Sequence, residues 1–243
     1  FQVAFELNTG AIYSLKYGSQ DIIKDGNGPK LDAYRAPTDN DAGIGYHNAW
    51  FKNGLYDLQH VVKNWNYTAK KDGTYQLDFT VESQGKEGCD VNYSNRDRDP
   101  ESCYNFEKNK HALTDTDLKF TSRQIYTIYK DGSIEMQSAI GANRSKVILP
   151  RIGYSMVLPS ELNQYDYYGR GPVNNYNDRK TSQFIGLYDT TVTDMYYPYI
   201  FPQQTGNHSD VRWAEITSPK KGVALRFQAE KSMDFSALHF ADE

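Results

Sequence analysis

Only two cysteines, Cys89 and Cys103, occur among the 243 residues, enough for a single cross-link. Their spacing does not fit a zinc site, and no histidine lies between them. No stretch of 18 or more apolar residues exists, which excludes a helical membrane span. Positive charge is not in excess, since 27 Lys and Arg face 31 Asp and Glu for a net −4. That balance argues against a nucleic-acid partner, which calls for a basic face. The chain opens directly on Phe1-Gln2-Val3-Ala4-Phe5, with no charged-then-apolar leader. Such an absence says little about location, because a segment from inside a longer protein would not carry its leader. Helical periodicity is nearly missing, and no Gly/Ser/Pro linker or fixed-period repeat divides residues 1–243, so one domain is expected.

Aromatics, by contrast, are abundant: 20 Tyr, 11 Phe and 3 Trp, a composition that suits β-sheets and sugar-binding surfaces. Period-two alternation runs through the chain. Phe1–Leu7 and Ala11–Tyr17 read as paired strands around an Asn8-Thr9-Gly10 turn. Thr74–Val81 alternates, as does Lys119–Tyr129, which meets the hairpin turn Lys130-Asp131-Gly132-Ser133 and returns along Ile134–Ile140. Further strands are expected at Ile152–Leu158, Val211–Thr217 and Val223–Gln228. One short helix broken at Gly54 fits Asn48–Leu58. An all-β antiparallel sandwich is the simplest packing for so many strands.

The cysteines bracket a polar segment, Asp90 to Ser102, within an insertion over residues 86–110. It cannot bury enough apolar surface to order itself, so a Cys89–Cys103 disulfide is expected, worth about 3 kcal/mol. That pairing favours an oxidising compartment, periplasmic or extracellular.

Three blocks concentrate glycine, proline, aromatic and charged residues. They are Tyr34-Arg35-Ala36-Pro37-Thr38-Asp39-Asn40-Asp41, then Tyr167-Tyr168-Gly169-Arg170-Gly171-Pro172 through Asn175-Tyr176-Asn177-Asp178-Arg179, then Asp194 to Trp213 with Tyr196-Tyr197-Pro198-Tyr199 and Gln203-Gln204. From the residues alone, Asp39-Asn40-Asp41 reads as a tight turn with side chain-to-backbone bonds, or as the start of a calcium loop, although EF-hand spacing is absent. Arg35 ties down carbonyls or pairs with a carboxylate such as Asp39. Tyr168, Arg170, Asn175, Asp178 and Arg179 read as a loop pinned by Arg–Asp and Arg–carbonyl bonds, with Gly169 and Gly171 supplying unusual backbone angles. The same group has the equipment of a sugar site: rings for C–H faces, Asn, Asp and Arg for hydroxyls. Among the five histidines no pair has metal-ligand spacing, and His208, near Gln203-Gln204, is the one to test.

In this order the three blocks resemble the YGRGP…NYxDR signature and its companions in the C-terminal domain of family 2 β-galactosidases. The resemblance implies a large antiparallel supersandwich of the galactose mutarotase type that continues past Glu243 for several strands. An edge left bare there would make the chain prone to self-association. It also implies preceding TIM-barrel and sandwich domains, a galactoside substrate and a homo-oligomer. Retaining glycosidases need two carboxylates roughly 5 Å apart. In this family both are glutamates on the barrel, so no catalytic residue, metal site or cofactor is expected here, and any Mg2+ or Na+ would belong to the intact enzyme. Two positions where the family often carries glutamate hold amides, Asn174 and Gln204, which do not titrate near neutral pH. That leaves little room for aldose 1-epimerase chemistry. An independent carbohydrate-binding module is the other reading. The expected pocket-rim residues are Arg35, Asp39, Asn40, Tyr168, Arg170, Asn175, Gln203, Gln204, His208 and Trp213, the last as core or as a sugar-stacking ring.

Overall fold

A computed structural model describes residues 1–91, 106–144, 146–200 and 203–241. The pairing partner Cys103 and most of the polar segment lie outside the described residues. The described residues are mostly strand, arranged in several antiparallel sheets with a few short helices and no barrel, the all-β class that the alternation implies. Among them no helix is long and apolar enough to cross a membrane, which leaves β-barrel spans unaddressed. The chain divides into two compact units, Phe1–Arg35 with Asn40–Val157 and Ala36–Asp39 with Leu158–Glu243.

In the first unit, β1 (Gln2–Phe5), β2 (Ile12–Tyr17) and β3 (Gln20–Ile23) form one antiparallel sheet. β5 (Leu58–Ala69), β6 (Tyr75–Gly85), β9 (Lys119–Ile128) and β10 (Ile134–Ala142) form a second, in the order β10-β9-β6-β5. Alternation decides which face is buried. On β9, Phe120, Ser122, Gln124 and Tyr126 are buried while Thr121 and Arg123 are exposed. Phe5 brings the first sheet onto this face, its ring 5.9 Å from that of Phe79 and 4.9 Å from that of Tyr126. Burying each such ring contributes about 1.5–3 kcal/mol. The expected Asp-Gly hairpin is present. Asp131 Oδ1 accepts from Ser133 N and Oγ at 2.9 and 2.7 Å, and Gly132 takes φ +91°.

The helical region differs from expectation. Two short helices occur, α1 (Asp39–Ile44) and α2 (Tyr46–Lys52), and α2 starts earlier and stops before Gly54. Asp39-Asn40-Asp41 is thus the first turn of α1 and not a tight Asx turn. Gly54 ends the helical stretch at φ +63°, where a Cβ would meet Glu87 O at 2.2 Å. The apolar side of α2 explains its formation: Trp50 and Phe51 join Leu31, Tyr34, Leu55, Leu118 and Phe120 in one cluster, and Trp50 Nε1 donates to Ile148 O at 2.7 Å. Short ladders complete the unit. β4 (Lys30–Asp32) pairs with β11 (Gly153–Ser155), and β7 (Gly88–Cys89) pairs with β8 (Lys110–His111) after α3 (Phe106–Asn109).

The second unit is a four-stranded antiparallel sheet ordered β13-β12-β14-β15, from β12 (Gln164–Gly171), β13 (Phe184–Thr191), β14 (His208–Ser218) and β15 (Val223–Phe235). Tyr165 and Tyr167 point to its buried side and stack at 5.0 Å, while Tyr168, next along the strand, is exposed. The register sets Asp166 beside both Asp189 and Glu215. Burial, then the Asp189 and Glu215 charges, push the Asp166 carboxyl above its usual range. A raised carboxyl destabilises the fold at neutral pH, and the penalty vanishes as pH falls through the raised value. Asp166→Asn is therefore expected to stabilise the chain by up to about 1 kcal/mol at pH 7. The gain should read as a higher urea midpoint and shrink toward pH 4; a lower midpoint at pH 7 would contradict it.

Candidate functional site

The Tyr167–Gly171 segment is the end of strand β12, not a loop. Its glycines explain why the sequence suggested otherwise. Neither Gly169 nor Gly171 has a positive φ. They are glycine because neighbours come too close: a Cβ on Gly169 would sit 2.7 Å from Val211 Cγ2, and one on Gly171 would sit 2.1 Å from Tyr167 Oη. The expected unusual angle belongs instead to Asp210, at φ +55° beside an irregularity in the β14–β15 pairing.

Asp210 is the centre of a polar knot. Its Oδ2 accepts from Arg170 Nε at 2.8 Å and its Oδ1 from Lys180 Nζ at 3.3 Å. Arg170 and then Lys180 hold this carboxyl below its ordinary value, against a smaller opposing effect of burial. Arg170 Nη1 also donates to Gln183 O at 2.7 Å. The bonds are of the expected Arg–Asp and Arg–carbonyl kind, with Asp210, 40 residues away, as the acid.

Asn175 and His208 lock the same strand end. Asn175 is fully buried, its Nδ2 donating to Arg170 O at 2.9 Å and Val173 O at 3.0 Å, its Oδ1 accepting from Ser209 N at 2.9 Å. Its own backbone pairs with Asn207 on both sides, N to Asn207 O at 2.8 Å and O from Asn207 Nδ2 at 2.7 Å. His208, also fully buried, donates from Nδ1 to Arg170 O at 3.0 Å, which assigns the ring proton because a carbonyl can only accept. Its Nε2 lies 3.2 Å from Met195 Sδ. Burial holds its pKa below the ordinary histidine value, so the ring is neutral. Neither nitrogen is disposed for proton transfer to a ligand.

The remaining expected rim residues sit elsewhere. Arg35 Nη1 and Nη2 grip Asp41 at 2.6 and 3.2 Å, with the guanidinium 5.4 Å from the Trp50 ring. Asp39 and Asn40 are exposed at the start of α1. Tyr168 and Trp213 are direct cross-strand partners, and each carries a guanidinium: Arg212 at 5.7 Å over Tyr168 and Arg226 at 4.4 Å over Trp213. Gln203 is half-buried; Gln204 is buried and donates from Nε2 to Thr205 O at 3.3 Å. Asp210, Lys180, Asn207 and Ser209 were not anticipated. The polar run Gly206-Asn207-His208-Ser209-Asp210, which leads into strand β14, was the available signal. Among the described residues no group of three or more His, Cys, Asp or Glu is disposed to hold a metal.

The described residues form an all-β domain in which the block around Arg170 lies at a strand end held by side-chain bonds. The sequence model of the family described as beta galactosidase small chain matches residues 1–243, and the chain belongs to that family. It is 28% identical over 244 residues to a beta-galactosidase of Priestia megaterium, covering 99% of this chain and 20% of that protein. It is 30% identical over 243 residues to a beta-galactosidase of Lactobacillus delbrueckii subsp. bulgaricus, again with 99% and 20% covered. A beta-galactosidase of Kluyveromyces lactis is 26% identical over 227 residues, with 93% and 19% covered. The chain thus spans about one-fifth of the length of the curated relatives it matches.

Proposed function

We propose that this chain is a non-catalytic, carbohydrate-facing domain of a β-galactosidase that hydrolyses terminal non-reducing β-galactosides. The observation that carries this reading is full-length membership in the small-chain family while matching only one-fifth of each relative. The geometry supports it. Asp41 and Asp210 are each committed to an arginine, His208 has both ring nitrogens against protein atoms, and the two glutamate-to-amide positions cannot move protons. Asp210 and His208 brace a strand end, and bracing is what a pocket rim built from β-strands requires.

Given a chromogenic galactoside, the purified chain is expected to show no turnover above buffer, since the two carboxylates the reaction needs are supplied by a neighbouring domain. Turnover that survives removal of host enzyme would sink the reading. Calorimetry with galactose and lactose separates a rim from an autonomous binding module, which would show a Kd tighter than about 1 mM. The cysteine pair supports an oxidising compartment. Thiol titration of the unreduced, denatured chain is expected to find no free thiol, and two per chain would refute it.

A further inference from the structure

Strand β13 closes one side of the second unit's sheet. Among the described residues it pairs with β12 alone, so its other edge has no strand partner. A bare edge is ordinarily blunted by charge or proline, because its backbone groups are a template for another strand. At the opposite side of the same sheet, β15 carries Arg226, Glu230 and Lys231. The middle of β13, Phe184-Ile185-Gly186-Leu187-Tyr188, carries neither a charge nor a proline. Phe184 and Leu187 are 76% and 71% exposed, and Ile185 is exposed beside them. One exposed apolar side chain is ordinary, but three within four residues along a bare edge mark a contact surface.

Read in either direction, this segment runs aromatic, aliphatic, glycine, aliphatic, aromatic. A two-fold axis through Gly186 uses that symmetry. Antiparallel pairing of two β13 strands about this axis sets Gly186 against its copy, Ile185 against Leu187 and Phe184 against Tyr188. Each pair shares a face, as strand alternation requires, and matches apolar with apolar. The next pair outward sets Asp189 against the Gln183 amide. It also keeps the two Asp189 carboxylates six positions apart in register, or about 20 Å. Other axes lose this match. One through Leu187 puts Asp189 opposite Ile185, and one through Asp189 puts carboxylate against carboxylate. An axis between two residues turns the paired side chains onto opposite faces.

We propose that two copies of this chain associate through β13, antiparallel about an axis at Gly186, joining two four-stranded sheets into one of eight. The eight residues of β13 fall short of the roughly 20–30 a side of a stable interface, so the dimer is weak, with a Kd of about 50 µM. Sedimentation equilibrium of the whole chain from about 5 to 500 µM is expected to pass from monomer to dimer and to stop there, because the pairing uses up both edges. Leu187→Lys and Ile185→Glu change exposed positions and should each raise the Kd about tenfold or more, with the unfolding midpoint unchanged. Mixing the two variants in equal amounts tests the register. In the mixed dimer one glutamate faces one lysine while the other Ile185–Leu187 pair stays intact, so its Kd should return to within about threefold of wild type. A wild-type chain still monomeric at about 500 µM, growth beyond the dimer, or a dimer that neither variant weakens would overturn the proposal. A mixture that fails to associate would overturn the axis at Gly186. No sugar enters the measurement, so the proposal stands or falls apart from the β-galactosidase reading.

Discussion

Asn175→Ala is expected to destabilise the chain by about 3 kcal/mol, lowering the thermal midpoint by about 6–12 °C. The side chain is fully buried and makes three hydrogen bonds, two donated to Arg170 O and Val173 O and one accepted from Ser209 N. Truncation strands those partners where water does not reach, and each stranded group costs about 1–3 kcal/mol before relaxation. His208 still donates to Arg170 O, so that carbonyl keeps one partner and the total stays below a simple sum. Asn175→Asp separates polarity from shape. It preserves the volume and the acceptor for Ser209 N but loses both donors and buries a charge, so it should be no milder than alanine. A midpoint within 2 °C of wild type for either variant, at about 2–4 °C per kcal/mol, would show that the knot does not hold β12 to the start of β14.

Arg170→Met comes next, at about 2–3 kcal/mol. It leaves the Asp210 carboxylate with Lys180 alone and removes the donor to Gln183 O. Arg170 and Asp210 keep side-chain exposures of 23% and 26%, so the cost falls below that of breaking a fully buried pair. The pH dependence carries a defined sign. Asp210 titrates below its unfolded value, so its contribution is complete above about pH 4 and is lost as pH falls through the depressed folded value. The gap between wild type and Arg170→Met should accordingly be widest near neutrality and close on acidification. A double-mutant cycle with Asp210→Asn should return a coupling of about 1–2 kcal/mol at pH 7. A gap independent of pH would mean that Arg170 acts through packing and carbonyl bonds alone.

Much of the sheet architecture was legible because one face of each strand meets a core. The Lys119–Tyr129 alternation and its Asp-Gly turn reappear as β9 and its hairpin, with Ile134 opposite Ile128. β5 escaped notice because its second half is exposed on both sides and an irregularity between Val62 and Asn64 shifts its phase. β13 escaped because Phe184 and Leu187, at 76% and 71% exposure, look inward-facing by composition and are not. In the knot, the kinds of bond around Arg170 could be foreseen, since a guanidinium among glycines and carbonyls has few other options. Its acidic partner could not. Asp210 reaches Arg170 only because β14 runs beside β12, a pairing written in no local pattern. Gly169 and Gly171 were read as turn residues for the same reason: sequence shows the missing side chain but not the neighbour that requires it.

The contact between Gly169 and Val211 bears on how the chain finds its fold. Sliding β12 by one position along β14 would bring Tyr168 or Arg170 to a spot with space for a hydrogen only, and would also turn the Tyr165 and Tyr167 rings toward water. Misaligned pairings are thereby rejected by collision as well as by lost burial. In a tyrosine-rich sheet, where many offset arrangements would be nearly as adhesive, one bare α-carbon acts as the notch that admits a single alignment.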